Sequence, residues 1–279
     1  MNDKLIEIFE DTMAMIQGNT SLKKIVENSS QGAKLYLEGR DVPGFDDACN
    51  KVSDLIQDDG TAPKVTVTSH RTFEAARKLH EKYPDKRVGV LNFASATNPG
   101  GGVTNGAAAQ EECLCRCSTL YPVLKRDDFF QNYYRFHRKR HDHIYTDACI
   151  YVPHVAVVKS DVAEPKRLPS RDWFAVDVIT CAAPNLWFDA NGLSDEEQLE
   201  IHLKRGEKIL QVAIANHVEV LVLGAFGCGA FRNNPKVVAE AYRQLLEKYG
   251  KYFTAVEFAV YCSPRHGMGN YDAFKETLK

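Results

Sequence analysis

A run of glycines followed at a fixed distance by an acidic pair is the most chemically suggestive feature of this 279-residue sequence. Seven residues separate Gly100–Gly102 from Gln110–Glu112. A carboxylic acid can protonate the leaving oxygen of a glycoside, and a carboxylate can stabilise an oxocarbenium-like sugar. Because adjacent helical residues point about 100° apart, only one of the two acids can face a given atom. The pair therefore suits glycoside cleavage, but it also suits an ordinary acidic first turn in which Glu112 pairs with Arg116.

The acidic pair is expected at the start of a helix, where opposing effects act on the protonation of the two glutamates. A helix N-terminus favours the ionised form of a carboxylate. Burial, a neighbouring negative charge and a bound diphosphate would each favour the protonated form, which a general acid requires. The sequence alone leaves the balance open.

A second glycine loop, Gly224–Phe231, follows another apolar run and precedes a helix that begins near Pro235. Free backbone N–H groups near a helix start can hold a phosphate. The loop lacks the Lys-Ser/Thr of a nucleoside-triphosphate loop and the position of a dinucleotide fingerprint. We interpret Phe226 as a core residue. Two glycine loops at two strand ends indicate a ligand with a diphosphate and two sugars.

The elements that must position these loops alternate between strands and helices. The pattern predicts strands over 65–69, 88–94, 149–158, 173–183, 218–226 and 253–262. It predicts helices over 5–16, 46–55, 73–83, 108–121, 194–216, 235–249 and 271–279. Such alternation indicates a mostly parallel sheet covered on both faces, with ligands bound at the carboxyl ends of strands. We expect a helical lead-in over 1–60 and an α/β core over 61–279, with the boundary near 58–63.

Composition is ordinary for a globular protein, with 44% hydrophobic and 26% charged residues. The net charge of −2 gives no global attraction to polyanions, so any anion site must be local. We find no secretory signal and no membrane-spanning run, which predicts a cytoplasmic protein with reduced thiols.

The closely spaced Cys113, Cys115 and Cys117 resemble a metal ligand set, but zinc sites usually add a second such pair. His141 and His143 lie near Cys149 at a spacing that fits no standard site. We therefore interpret the thiols as small buried side chains on a helix and expect no metal.

The spacing of the two motifs resembles the signature of poly(ADP-ribose) glycohydrolases. The segment 92–124, NFASATNPGGGVTNGAAAQEECLCRCSTLYPVL, is similar to the microbial-type branch, and the likeness extends over about 64–265. The resemblance implies a macrodomain-like three-layer α/β/α sandwich with an N-terminal helical extension. It implies hydrolysis of ribose–ribose O-glycosidic bonds in poly(ADP-ribose), with ADP-ribose as product and no cofactor.

The resemblance also implies a role for each motif residue. Glu112 would be the catalytic acid/base, and Glu111 would bind ribose hydroxyls with support from Gln110. Asn98 and Phe231 would contact a ribose, and Gly100, Gly101 and Gly102 would lie close to ribose and phosphate. The diphosphate would be surrounded by Gly227, Cys228 and Gly229. Cysteines at 113, 115 and 117 depart from the small Ser or Ala residues expected there.

Two other functions remain open from the sequence. One is a macrodomain that binds ADP-ribose without cutting it, although such a protein has no need of the acidic pair. The other is hydrolysis of mono-ADP-ribosylated protein or of a related metabolite.

The basic segment, Arg135–His143, is the most positively charged stretch of the chain. It could steer a polyanionic polymer, but a solvated helix face or loop is the interpretation we favour. Its histidines are expected to be surface or packing groups. No nucleic-acid motif accompanies it, and we expect no specific nucleic-acid partner.

Overall fold

The computed structural model describes residues 2–55, 63–188, 192–262 and 268–279, with side chains left undescribed at 52–55 and 188. Most of the boundary expected near 58–63 lies outside these residues.

Eleven α-helices and seven strands make up the regular structure of the described ranges. The α-helices are α1 (Asp3–Gly18), α2 (Thr20–Gly32), α3 (Phe45–Leu55), α4 (Thr72–Lys82), α5 (Gln110–Cys117), α6 (Leu120–Leu124), α7 (Asp127–Phe129), α8 (Arg135–Arg140), α9 (Asp195–Ala215), α10 (Pro235–Tyr249) and α11 (Gly269–Thr277). The strands are β1 (Lys34–Tyr36), β2 (Lys64–Thr68), β3 (Val88–Phe93), β4 (Cys149–Val157), β5 (Phe174–Cys181), β6 (Val220–Leu223) and β7 (Ala255–Ala259). A π turn, Phe130–Tyr134, joins α7 to α8, and short 3₁₀ turns lie at Val103–Asn105, Ser170–Asp172, Leu186–Phe188 and Gly250–Tyr252.

The seven strands form one sheet in the order β1-β4-β5-β3-β6-β7-β2. The run from β5 to β2 is parallel throughout, whereas β4 pairs antiparallel with β5 and β1 pairs antiparallel with β4. The mostly parallel sheet expected from the sequence is confirmed. Strands β3 and β6 are central neighbours, so the loops that follow them leave the sheet at the same edge.

Helices cover both faces of the sheet, which completes three layers. Alternate residues of the central strands point to opposite faces: Val90 packs into the core under α4 and α5, and Leu91 packs into the core under α9 and α10. The largely apolar sequences of β3 and β6, buried except for the partly exposed Phe93, are a consequence of this double cover. The three-layer arrangement agrees with the expected fold class.

The predicted helices and strands are found in the structure, with ends that differ by a few residues. Two details differ from expectation. The helix expected over 108–121 ends at Cys117, and α6 begins after a break at Ser118 and Thr119. The lead-in also contains β1, which is only three residues long and which periodicity could not reveal.

The N-terminal helices pack directly against the core rather than standing apart from it. Helix α1 contacts α5 and the turn Val103–Asn105, and α2 contacts β4. No helix within the described parts of the chain is both long enough and apolar enough to cross a membrane.

Candidate active site

The loops after β3 and β6 face each other across one large cleft, with a volume of about 1370 Å³. Both glycine runs, the acidic pair and Phe231 line it. Because the two strands are adjacent and parallel, sequence segments more than 100 residues apart meet at this edge. The structure therefore brings together the two motifs that the sequence singled out.

The first glycine loop turns sharply beneath the acidic pair. Gly100 and Gly101 have φ values of +69° and +59°, a region that other residues rarely adopt. A Cβ on Gly101 would clash with Glu112 Oε1, and one on Gly100 would lie 2.7 Å from Tyr121 Cδ2. Glycine is required at both positions, because the backbone passes against the carboxylate on one side and an aromatic ring on the other.

Glu112 lies in the first turn of α5, and its side chain is only 7% exposed. Its Oε1 accepts a hydrogen bond from the Gly102 N–H at 2.8 Å. Its Oε2 is buried and has no hydrogen-bond partner among the described residues. Arg116 instead donates to the Ala107 carbonyl and to the Cys113 thiol, so the ion pair Glu112–Arg116 does not form there. One carboxylate oxygen is fixed and the other is left for a ligand.

Glu111 is held by polar groups from β3 and the loop after it. Its Oε1 accepts from Asn92 Nδ2 at 3.3 Å, and its Oε2 accepts from the Ser95 N–H at 2.7 Å. Burial raises the pKa of Glu111 to about 8 despite these hydrogen bonds. At neutral pH Glu111 is therefore mainly protonated.

Gln110 supports the site from behind rather than facing the ligand space with free polar atoms. Its Oε1 accepts from the Phe93 N–H at 2.9 Å. Its Nε2 donates to the Leu91 carbonyl at 2.8 Å and to Thr72 Oγ1 at 3.0 Å. The amide thus joins the start of α5 to the end of β3, in line with the supporting role that the resemblance implied.

The second glycine loop is shaped by a buried asparagine. Asn233 donates to the carbonyls of Pro184 and Gly227 at 2.8 and 3.0 Å, and it bonds His202 Nε2 at 2.8 Å. Gly227 has a φ of +78°, and a Cβ there would meet Ala183 at 2.5 Å. Burial lowers the pKa of His202 to about 4, so its imidazole stays neutral at physiological pH.

Free amides line the cleft side of this loop. From Phe226 to Phe231, four N–H groups donate no hydrogen bond to any described residue, those of Gly227, Gly229, Ala230 and Phe231. Four free N–H donors on a tight turn before α10 have the chemistry that could hold an anion such as a diphosphate.

The remaining predicted site residues fall in two environments. Asn98 is exposed at the cleft rim, and Phe231 lies on the opposite rim near Tyr145, with ring centroids 6.4 Å apart. The Cys228 side chain packs toward the core, so this residue can offer the ligand only its backbone. Phe226 is buried against Phe93, which confirms its core assignment.

The three clustered thiols are buried on α5, as expected for small helix-packing side chains. Cys113, Cys115 and Cys117 are at most 8% exposed. Cys113 bonds the Ala108 carbonyl, and Cys117 bonds the Ser160 carbonyl. Within the described ranges, no three His, Cys, Asp or Glu side chains are arranged to hold a metal ion.

The basic segment is largely the solvated helix face that we favoured from sequence, and it also reaches the cleft. Arg138 donates to the Thr97 carbonyl and to Asn98 Oδ1, both at 2.7 Å, and thereby ties α8 to the first glycine loop. Arg138, His141 and His143 line the cleft. His137 is a packing residue, buried between the Tyr133 carbonyl and Thr146. Long-range folding, which charge patterns do not encode, brings this segment to the site.

The sequence reasoning missed several residues that shape the cleft. Asn92 and Asn233 are the clearest examples. A polar residue inside an apolar strand was a usable signal for Asn92, since buried amides must be hydrogen-bonded. Nothing local marked Asn233 or its partner His202, which are 31 residues apart.

A known protein family matches more than half of the chain. Its family model, described as microbial-type PARG, catalytic domain, matches residues 4–160. A comparison with curated protein sequences gave no match.

Several solved structures are similar over nearly the whole chain. The poly(ADP-ribose) glycohydrolase from Thermomonospora curvata, bound to the inhibitor ADP-HPD, is 31% identical with a TM-score of 0.81, covering 99% of both chains. A second structure of that enzyme is 30% identical with a TM-score of 0.83, covering 99% of this chain and 100% of the other. The glycohydrolase from Deinococcus radiodurans, in complex with ADP-ribose, is 36% identical with a TM-score of 0.76, covering 91% and 97%. With the glycine loops and the acidic pair at one cleft, these matches show that the chain belongs to the microbial-type poly(ADP-ribose) glycohydrolase family.

Proposed function

We propose that this chain hydrolyses the ribose–ribose O-glycosidic bonds of poly(ADP-ribose) and releases ADP-ribose, with Glu112 as the catalytic acid/base. The assignment to Glu112 rests on one observation, which is that its two carboxylate oxygens have different surroundings. One oxygen is fixed by the Gly102 amide, and the other is buried in the cleft between both glycine loops, with no hydrogen-bond partner in the described part of the chain.

The proposed reaction needs two proton transfers, one from Glu112 and one to it. As the bond between the anomeric carbon and the bridging oxygen breaks, Glu112 gives its proton to that oxygen, which leaves as a ribose hydroxyl. The ionised Glu112 then takes a proton from water, whose oxygen bonds the anomeric carbon. The enzyme returns to its starting state, and ADP-ribose is the product.

The other motif residues would hold the substrate in place. We propose that the free amides of Gly227, Gly229 and their neighbours bind the diphosphate. Cys228 would only lie beside it, because its own N–H donates to the Ala225 carbonyl at 3.1 Å. Asn98 and Phe231, on opposite rims, would enclose the terminal ribose. Gly100–Gly102 would allow that ribose to approach the backbone closely.

The test replaces Glu112 by glutamine, which keeps the shape and can still accept from Gly102 while losing the transferable proton. We expect the Glu112→Gln variant to lower kcat on labelled polymer about 10³-fold. The Kd for ADP-ribose should stay within a few-fold, because the loop amides are unchanged. Polymer hydrolysis at the original rate would contradict the assignment.

The same assay separates the two other functions left open by the sequence. A protein that only binds ADP-ribose would retain labelled polymer without shortening it. A hydrolase of mono-ADP-ribosylated protein would release ADP-ribose from that substrate and leave polymer intact. The buried carboxylate of Glu112 favours hydrolysis over binding alone, and the match to the poly(ADP-ribose) glycohydrolase family favours polymer as the substrate.

We also propose that residues 1–60 form an extension of a macrodomain-like core over 61–279. The packing of α1 and α2 on the outside of α5 and β4 supports this division. Strand β1 adds to the sheet only at its edge, beyond β4.

A cytoplasmic location is proposed on the state of the thiols. Cys149 and Cys181 lie on adjacent strands and interact, yet both are free. Neighbouring reduced thiols suit a reducing compartment.

A further inference from the structure

Helix α5, which carries the acidic pair, depends on other parts of the chain to complete its C-terminal end. The helix has only eight residues and no left-handed glycine cap, since Ser118 is extended. The carbonyl groups of a last turn have no partner within their own helix. In this helix, two of them receive donors from distant segments.

The first donor is Thr12 in the middle of α1. Its hydroxyl donates to the Arg116 carbonyl at 2.5 Å, and the residue has no exposed surface. The second is the end of β4, where the N–H groups of Val158 and Lys159 donate to the Cys117 carbonyl at 2.8 and 3.1 Å. The end of α5 is therefore fixed to α1 and to the sheet at the same point.

A buried lysine joins these two anchors to each other. Lys159 is 2% exposed, and its ammonium group donates to the Ile8 carbonyl at 2.5 Å and pairs with Asp11 at 2.8 Å. A buried ammonium needs such partners, because desolvation penalises its charge. The pair therefore ties the Thr12 turn of α1 to the residue that caps α5.

A second line of contacts runs from α1 to the first glycine loop. The rings of Phe9 and Tyr121 pack edge to face with centroids 4.8 Å apart. Tyr121 in turn packs directly on Gly100, where it leaves no room for a Cβ. Helix α1 thus touches both structures that hold Glu112, the helix that carries it and the loop that fixes its Oε1.

We infer that Thr12 is a positioning residue for Glu112, acting through the last turn of α5. Arg116 is one turn beyond Glu112, about 6 Å along the helix axis, so tilting at one end of this short helix moves the other. Glu112 needs close alignment with the bond that it protonates, and displacements near 1 Å cost much of the rate. The inference rests on the proposed function and assigns α1 a part in it.

The test compares three single substitutions in the full chain. Thr12→Val removes the hydroxyl and keeps the shape, and Thr12→Ser keeps the hydroxyl. Ser29→Ala is the control, because Ser29 on α2 is also fully buried and donates to the His154 carbonyl at 3.1 Å, away from α5.

We expect Thr12→Val to lower kcat on polymer about tenfold, with KM and the Kd for ADP-ribose within about twofold. Thr12→Ser should restore kcat to within about twofold. Ser29→Ala should lower the melting temperature as much as Thr12→Val does and leave kcat unchanged. A folded Thr12→Val variant with the original kcat would overturn the inference, as would equal losses of kcat in Thr12→Val and Ser29→Ala.

A second variant and a structural measurement keep the inference open to refutation. If Thr12→Val fails to fold, Thr12→Ala removes the same hydroxyl and should also lower kcat about tenfold, and an unchanged kcat in it would overturn the inference. In a crystal structure of Thr12→Val, an unchanged Glu112–Gly102 hydrogen bond and Glu112 position would do the same. Failure of the unmodified chain to hydrolyse polymer would refute the proposed function alone, since this structural readout needs no activity.

Discussion

Two adjacent glutamates in one helix turn meet different surroundings in this protein. Glu111 is fixed by Asn92 and Ser95 and is fully enclosed, whereas Glu112 has one oxygen without a partner among the described residues. The sequence left open whether the helix N-terminus or burial controls protonation, and for Glu111 burial prevails. Asn92 Oδ1 receives no hydrogen bond within the described ranges. Rotating this side-chain amide by half a turn would exchange its oxygen and nitrogen, and Oδ1 would then accept a hydrogen bond from the protonated Glu111 carboxyl group.

The raised pKa of Glu111 predicts that this residue destabilises the free protein at alkaline pH. Its pKa is about 8 folded, against an ordinary 4.5 in the unfolded chain. Between these values the folded state holds one more proton than the unfolded chain. The stability that the protonated Glu111 allows is therefore fully present below about pH 4.5 and is lost as pH rises through 8. Glu111→Gln, which mimics the neutral acid, should raise the free energy of unfolding at pH 8.5 by on the order of 2–4 kcal/mol.

Denaturant unfolding at pH 5 and at pH 8.5 measures this effect. At pH 5 the gain should shrink to below about 1 kcal/mol, because the destabilisation accumulates only as pH rises above the unfolded pKa of 4.5, and pH 5 is just above that value. Glu10→Gln, at an exposed position on α1, serves as the control. An equal gain at both pH values would mean that packing, and not protonation, accounts for the change.

At the scale of elements, the first glycine loop and α5 act as one unit. The loop turns with positive φ at Gly100 and Gly101, which lets the Gly102 amide reach Glu112. The second loop is built separately, on Asn233 and a turn at Gly227. The two units meet only because β3 and β6 are neighbours.

Gly101→Ala should lower kcat on polymer about 100-fold, because the added methyl group would displace Glu112 Oε1. The positive φ at position 101 would also strain the backbone of an alanine there. Gly229→Ala is the comparison, since a Cβ there meets no atom within 4 Å and the φ is ordinary. It should leave the melting temperature unchanged and affect mainly the Kd for ADP-ribose. Melting curves and single-turnover assays on both variants provide the measurement, and full activity in Gly101→Ala would show that the loop can move without cost.

At the scale of the whole molecule, charge is nearly balanced, so attraction to a polyanion depends on local groups. The net charge is −2, but α8 presents Arg135 and Lys139 as exposed cations. Neither forms an ion pair with a described residue, whereas Arg140 is paired with Asp142 and Glu38. Helix α8 is bound to the cleft rim through Arg138, which places this charge beside the entrance.

The double substitution Arg135→Gln/Lys139→Gln should lower kcat/KM on long polymer about threefold at low salt, because it removes two charges that attract phosphates. The difference should vanish near 0.5 M salt, where the screening length is only a few Å. The control is Lys23→Gln/Lys24→Gln on α2, an equal charge change at exposed residues outside the cleft lining. A loss that persists at high salt would point to a folding defect instead of steering.

Local pattern was sufficient to predict much of this protein. The buried runs of β3 and β6, the α-helices between strands and the start of α5 at Gln110 all follow from spacing along the chain. The two glycine loops were predicted to bind one ligand because parallel strands end at the same edge. Residues such as Thr12, Asn233 and Arg138 were not predicted, because each acts on a partner at least 31 residues away.

By itself the sequence determined the alternation of strands and helices, the glycine turns and the acidic pair, because periodicity and glycine's dihedral freedom act over a few residues. Only the tertiary structure decided the strand order, the attachment of α1 and α8 to the cleft and the different surroundings of Glu111 and Glu112. These depend on burial and on contacts between distant segments, which exist only once the chain has folded.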